Sequence, residues 1–221
     1  MSSASRDEFP DLRRSVGGLV APDTPLARAA ARLAWEHSTP MLFNHVMRSY
    51  FFGRLAVGRS AGSYDDEVVF LSAVLHDLGL TDHAPGPRRF EIEGADAARR
   101  FLCDSGCDSG RAWLVWDTIA LHPFDINLHK EPEARVVQAG ILGDVVGAGV
   151  ASIDPSNVAE VLRAFPRHGF KRGFVDLLLN QARAKPHAHT IHPTHMIAHH
   201  CCGGVPIPNA QALIEATPFV D

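Results

Sequence analysis

The stretch VVFLSAVLHDLGL, residues 68–80, is an apolar run that ends on an adjacent histidine and aspartate, His76 and Asp77. Ser63 ahead of it reads as a helix cap, and Asp65, Asp66 and Glu67 form an acidic first turn that complements the helix dipole. The pattern predicts a helix closing near Gly79, a natural C-terminal glycine. A carboxylate at the end of such a helix is costly to bury unless it is paired or metal-bound. One stretch therefore poses both the fold and the chemistry.

Working outward, the neighbouring segments are also helical. Thr24 as N-cap and Pro25 at the first helical position open LARAAARLAWEHS, which Pro40 ends. MLFNHVMRSYFFGRLAVG has apolar stripes on more than one side and predicts a deeply buried helix. After a Pro- and Gly-bearing loop at 80–92, helices are expected from about Glu93 to Cys103 and from about Ser109 to Leu121. Further helices are expected from Glu131-Pro132 to about Gly149, from Asp154-Pro155, and from Arg167 to Ala184. Trp35, Trp113 and Trp116 read as core. Alternation with period two is scarce, so the expected class is all-α, a bundle of roughly seven to nine helices. Residues 1–23 read as an N-terminal arm, 24–185 as the helical domain that carries the core, and 186–221 as a His-rich tail packing on it.

Composition narrows the function. The chain has 221 residues, 46% hydrophobic and 21% charged, enough for one core. A net charge of -4 argues against a nucleic-acid partner. No apolar run reaches the roughly 18 residues of a membrane span, and Asp144 interrupts the best candidate. The polar N-terminal stretch and the four cysteines, without a disulfide framework, give the expectation of a cytoplasmic protein. A homo-oligomer is compatible with the sequence.

Two further groups resemble the His76-Asp77 setting. His45 lies inside FNHVMRSYFF, and Asp144 inside VVQAGILGDVVGAGV. Alone, His45 reads as a hydrogen-bonded core histidine, Asp144 as a bond to a neighbouring helix, and His76-Asp77 as a helix-end pair. Jointly, three buried polar features in one small domain would each need separate partners. Two imidazoles and two carboxylates suit a first-row transition metal such as zinc, iron or manganese.

The series His45, His76-Asp77, Asp144 resembles the H…HD…D pattern of the HD-domain superfamily of metal-dependent hydrolases. More narrowly, LHDLGLTD, RFEIEGADAARRFL and WDTIALHPF are similar to the HD-type cyanamide hydratase group, over about residues 25–185. The resemblance implies an all-helical fold and the ligand set His45, His76, Asp77 and Asp144. It implies one divalent metal, zinc in the cyanamide hydratases, with iron, manganese, cobalt or magnesium elsewhere in the superfamily. Asp77 would both bind metal and accept a proton from water.

His122 follows an apolar helix, where a histidine also suits the helix C-terminus. Its functional reading is a catalytic residue that polarises or protonates bound substrate. Two-metal members carry a His-His pair before the final aspartate; only His129 lies between His122 and Asp144 here, which favours one metal. The same resemblance implies that Phe90 and Glu93 line the pocket, Glu93 as a catalytic candidate. Arg88 and Arg89 read as solvated.

In the tail, His195 and His199 have chelating spacing, and Cys201 and Cys202 are soft ligands. Pro193 and the missing glutamate of an HEXXH motif argue against a second metal site. Cys103 and Cys107 read as packing.

The leading expectation is metal-assisted hydration or hydrolysis of a small molecule, with a nitrile such as cyanamide as the example. The runner-up is an HD-type phosphohydrolase acting on a nucleotide or other phosphate ester, using Arg48, Arg88 or Arg89. Third is a non-catalytic metal-binding sensor module.

Overall fold

The apolar run forms a helix with no solvent-facing side. All eight residues from Val68 to Leu75 are buried, which is why its sequence shows no amphipathic stripe. It is the third of nine α-helices in the computed structural model, which describes residues 9–57, 60, 62–188, 197, 201 and 208–221. In chain order these are α1 (Pro25–His37), α2 (Pro40–Val57), α3 (Asp66–Leu75), α4 (Phe90–Asp104), α5 (Ser109–Leu121), α6 (Pro132–Val146), α7 (Pro155–Ala164), α8 (Phe170–Ala184) and α9 (Ala210–Glu215). Short 3-10 turns cover Leu78–Leu80, Asp125–His129 and Val150–Ser152. No strand occurs among the described residues, and the chain is all-α.

Most helices begin on a side chain that satisfies their free amide groups. Thr24 accepts from the Ala27 N–H, Asp108 from Gly110 and Arg111, and Asp154 from Ser156. For α3 the cap is Asp65, which accepts from Glu67 and Val68, rather than Ser63. A carboxylate next to the first turn reaches those amides, and Ser63 lies two residues too far back. Glu93 sits in the first turn of α4 and its carboxylate accepts the Arg88 backbone N–H, drawing the helix start back to Phe90.

α2 and α3 form the interior, with α1 and α5 against α3, α6 across α2, α4 on α5, and α8 closing over α2. The α2–α6 crossing is a glycine contact. A Cβ on Gly53 would meet the Val136 carbonyl oxygen, and one on Gly140 the Ser49 carbonyl oxygen. The two backbones touch there, which carries Asp144 of α6 to the level of His45 in α2.

Two helix ends differ from the sequence expectation. α3 stops at Leu75 rather than near Gly79, because Gly79 serves a close approach instead of a cap: a Cβ there would collide with the Phe90 carbonyl oxygen. α8 starts at Phe170 rather than Arg167, leaving Arg167 on the preceding loop with its guanidinium turned inward. Trp113 is 47% exposed rather than core, its ring lying under the Arg99 guanidinium and edge-on to Trp116.

Before α1, Leu12, Val16 and Ala21 are buried in the main core, and Phe9 packs edge-on against Trp35. Near the other end, Ile214 and Phe219 are buried, and the Thr217 hydroxyl donates to the Val145 carbonyl at 2.7 Å. His195 and His199, whose chelating spacing the sequence reading set aside, together with Cys202 and Pro193 lie outside the described residues. Cys103 and Cys201 are exposed free thiols. Among the described residues, no helix is long and apolar enough to cross a membrane.

Candidate metal centre

Two helices, α2 and α3, bring three polar side chains to one dry point. His45 comes from the middle of α2, His76 from the C-cap of α3, and Asp77 from the residue after it. All three are at most 2% exposed. One ligand atom from each lies within 4.8 Å of the others, and the group could hold a metal ion. Asp77 Oδ2 is 3.3 Å from His76 Nε2 and 3.5 Å from His45 Nε2.

The hydrogen bonds decide which ring nitrogens are free. The His76 Nδ1–H donates to the Ala73 carbonyl at 2.8 Å, and the His122 Nδ1–H to the Ile119 carbonyl at 2.7 Å. A carbonyl oxygen only accepts, so in each ring Nδ1 carries a proton. His45 donates from Nδ1 to Asp144 Oδ2 at 2.7 Å. His45 Nε2, His76 Nε2 and both Asp77 oxygens then have no hydrogen-bond partner in the protein, although all are buried. Buried polar atoms are almost always satisfied, and three of these orphans, one from each residue, lie close enough together to fit a cation. Two nitrogens and a carboxylate are the donor set of an open, catalytic type of transition-metal site.

Charge follows the same geometry. Burial works against ionisation of Asp77, but His76 beside it outweighs that and holds the carboxyl below its ordinary value. His76 is raised, since Asp77 overcomes the burial that would lower it. Burial lowers His45, against the pull of Asp144. Burial, helped by the neighbouring His76, pushes His122 down to about 3, so its ring is neutral.

Asp144 is not brought into the group of three. The sequence placed it among the ligands; the structure places it behind His45, with both oxygens already bonded. Oδ1 accepts from Arg48 Nε (2.7 Å) and Arg167 Nη1 (2.8 Å). Oδ2 accepts from Arg48 Nη2 (2.8 Å) and His45 Nδ1. Burial opposes its charge, but Arg48 outweighs this and keeps the carboxyl ionised. A carboxylate on the far nitrogen of a ligating histidine holds the ring's orientation and tautomer.

His122 stands edge-on to His76, ring centres 5.0 Å apart, and faces Phe90 at 5.9 Å. Glu93 is engaged elsewhere: its carboxylate is bound by the Arg88 backbone and guanidinium, and Arg88 also reaches Asp96. The Arg89 guanidinium lies over the Phe124 ring. His129 is exposed on a 3-10 turn. Around the centre stands an apolar cluster that includes Leu42, Leu80, Phe90, Phe170 and Phe174. Phe170 stacks on the His45 ring at 4.7 Å.

Sequence reasoning missed Arg167 and the structural duty of Arg48. Arg48 had a signal: it lies three residues after His45, on the same helix face. Arg167, on a loop, had none.

Compared with protein-family models the chain matches none, and a comparison with curated proteins gives no significant match.

Proposed function

We propose that the chain is a metal-dependent hydrolase or hydratase that adds water to a small, uncharged substrate. The observation that carries this reading is the set of buried, unpartnered donor atoms on His45, His76 and Asp77. When bound, the cation would polarise the substrate and lower the pKa of water from about 16 to roughly 7.

The chain's own residues supply the rest. Asp77 has two unpartnered oxygens, so one can serve the cation and the other accept a proton from the attacking water. His122, with its Nδ1–H held by Ile119, exchanges protons through Nε2. As a neutral ring it takes up there the proton that Asp77 drew from the water and passes it to the nitrogen or oxygen that gains charge, so that both groups return to their starting state. Phe90, Phe170 and Phe174 keep bulk water away and suit a small substrate without charge. A nitrile such as cyanamide meets these demands: water adds across the carbon–nitrogen triple bond and the product is urea. The resemblance to HD-type cyanamide hydratases supports the same substrate and zinc as the metal.

A phosphohydrolase reading draws on a groove of about 560 Å³ lined by Arg88, Arg89, Lys185 and His187, among others. Phosphoryl transfer asks for cations aimed at the reacting oxygens. Arg48 is buried on Asp144 and on backbone carbonyls, and Arg88 is held by Glu93 and Asp96. These commitments favour the uncharged substrate.

The test incubates the zinc-loaded protein with cyanamide and measures urea, beside nucleotides and a generic phosphate ester. Urea from the wild type and none from His76→Ala is expected. Phosphate release without urea would move the assignment to the second reading, and bound metal with no turnover to a sensor module.

A further inference from the structure

Asp144 is held more firmly than one histidine requires. Arg48 alone engages both its oxygens. Arg167 adds a bond from Nη1 to Oδ1 and another to the Asp144 backbone carbonyl, at 3.2 Å. Two buried guanidiniums on one carboxylate leave an excess positive charge, which is costly away from water. The second carboxylate is Asp221, whose Oδ1 accepts from Arg167 Nε at 3.1 Å. Two arginines and two aspartates then balance.

The same segment is stitched to the helices on either side of the centre. Asp221 Oδ2 accepts the Lys171 backbone N–H in the first turn of α8. Lys171 Nζ donates to the Glu215 and Thr217 carbonyls, and the Thr217 hydroxyl donates to Val145, the residue after Asp144. The Arg167 guanidinium lies between the rings of Phe219 (5.0 Å) and Phe170 (4.7 Å), and Phe170 stacks on His45. Arg167 thus reaches His45 along two routes, one through the Asp144 carboxylate and one through the Phe170 ring.

We propose that Arg167 and Asp221 are positioning residues of the metal centre, which fix the His45 ring through Asp144 so that Nε2 faces the cation site. This rests on the metal reading above. Neither residue touches the cation site; both set the angle and tautomer of a ligand. Losing a support of this kind costs roughly 10–100-fold in metal affinity.

The experiment titrates cobalt(II) into metal-free full-length protein and reads both the dissociation constant and the visible absorption bands, which report ligand geometry. Asp221→Asn, Arg167→Gln, His76→Ala and a control, Asp117→Asn, at a part-exposed α5 carboxylate paired with Lys130, are compared with the wild type. Asp221 is exposed, so its variant is expected to fold even if Arg167→Gln does not; melting of the metal-free forms is recorded alongside. The expected result for Asp221→Asn is roughly tenfold weaker binding with shifted bands and a near-native melting temperature, while Asp117→Asn matches the wild type. Wild-type affinity and bands in Asp221→Asn overturn the proposal, and so does weaker binding with unshifted bands. A wild type that binds no cobalt, or a His76→Ala variant that binds equally well, overturns the metal reading itself. That outcome is distinct from a wild type that binds beside an indifferent Asp221→Asn.

Discussion

His76 Nε2 and Asp77 Oδ2 lie 3.3 Å apart although the two residues are neighbours in the chain. Within a continuous helix, adjacent side chains diverge by about 100°. Here α3 ends at Leu75, and Asp77 leaves helical geometry with φ -101° and ψ 12°. The break turns the carboxylate back toward the imidazole. Had the helix run on to Gly79, the two donors would not share a cation so easily.

The first prediction concerns metal removal. Purified protein is expected to carry one equivalent of a divalent metal by elemental analysis. Chelation should lower the melting temperature and zinc should restore it. At a free metal concentration a hundred times the dissociation constant, the stabilisation is about 2.7 kcal/mol. His76→Ala should melt at the same temperature with and without zinc; a zinc-dependent shift in that variant would count against the centre described here.

A second prediction tests the buried charges. Arg48 is fully buried, with its guanidinium on Asp144 and on the Phe165 and Pro166 carbonyls. Arg48→Met should cost about 3–5 kcal/mol by urea unfolding, the range for removing one partner of a buried pair. A loss under 1 kcal/mol would mean that Arg167 and His45 hold Asp144 unaided.

The helix crossing gives a third. Gly140→Ala places a methyl group against the Ser49 carbonyl oxygen, and neither backbone can move aside without shifting a whole helix. A destabilisation of about 3 kcal/mol or more is expected, at the upper end of overpacking effects. Because the crossing sets the distance from α6 to His45, cobalt affinity should fall as well. An alanine variant with native stability would refute the contact.

The fourth is a pH dependence. Burial works against the charges of Glu93 and Asp96, but Arg88, with the Trp116 N–H on Asp96, outweighs it and holds both carboxyls below their ordinary values of 4.5 and 3.8. The unfolded chain therefore binds more protons than the folded one at mildly acid pH. The Arg88 contribution is present above the ordinary values and is lost as pH falls through the lowered ones. The gap in melting temperature between wild type and Arg88→Met should be full at pH 7 and close as pH drops from about 5 toward 3. Arg88 is half-exposed, so the gap should also shrink with added salt. A gap that widens in acid would contradict the pairing.

The ligand-type residues were legible because burial of polar groups leaves a mark on a sequence. His45 and Asp144 interrupt apolar runs, and His76-Asp77 ends one. Trp113 was misread as core because helical spacing does not say which helix face a neighbour covers; here the guanidinium of Arg99 does so instead of the protein interior. The end of α3 was misread because Gly79 can serve either as a cap or as a point of backbone contact, and only the position of Phe90 distinguishes the two.

Local chemistry along the chain, in its capping side chains, proline positions and unbroken apolar stretches, was sufficient to determine an all-helical protein and to single out the histidines and aspartates that lie buried beside one another in its interior. What only the tertiary structure decided is how those groups divide their work. Asp144 supports His45 rather than joining His76 and Asp77, because Arg48 and Arg167 saturate its oxygens. Arg167 arrives from a loop 23 residues further on, and no periodicity in the sequence encodes that meeting.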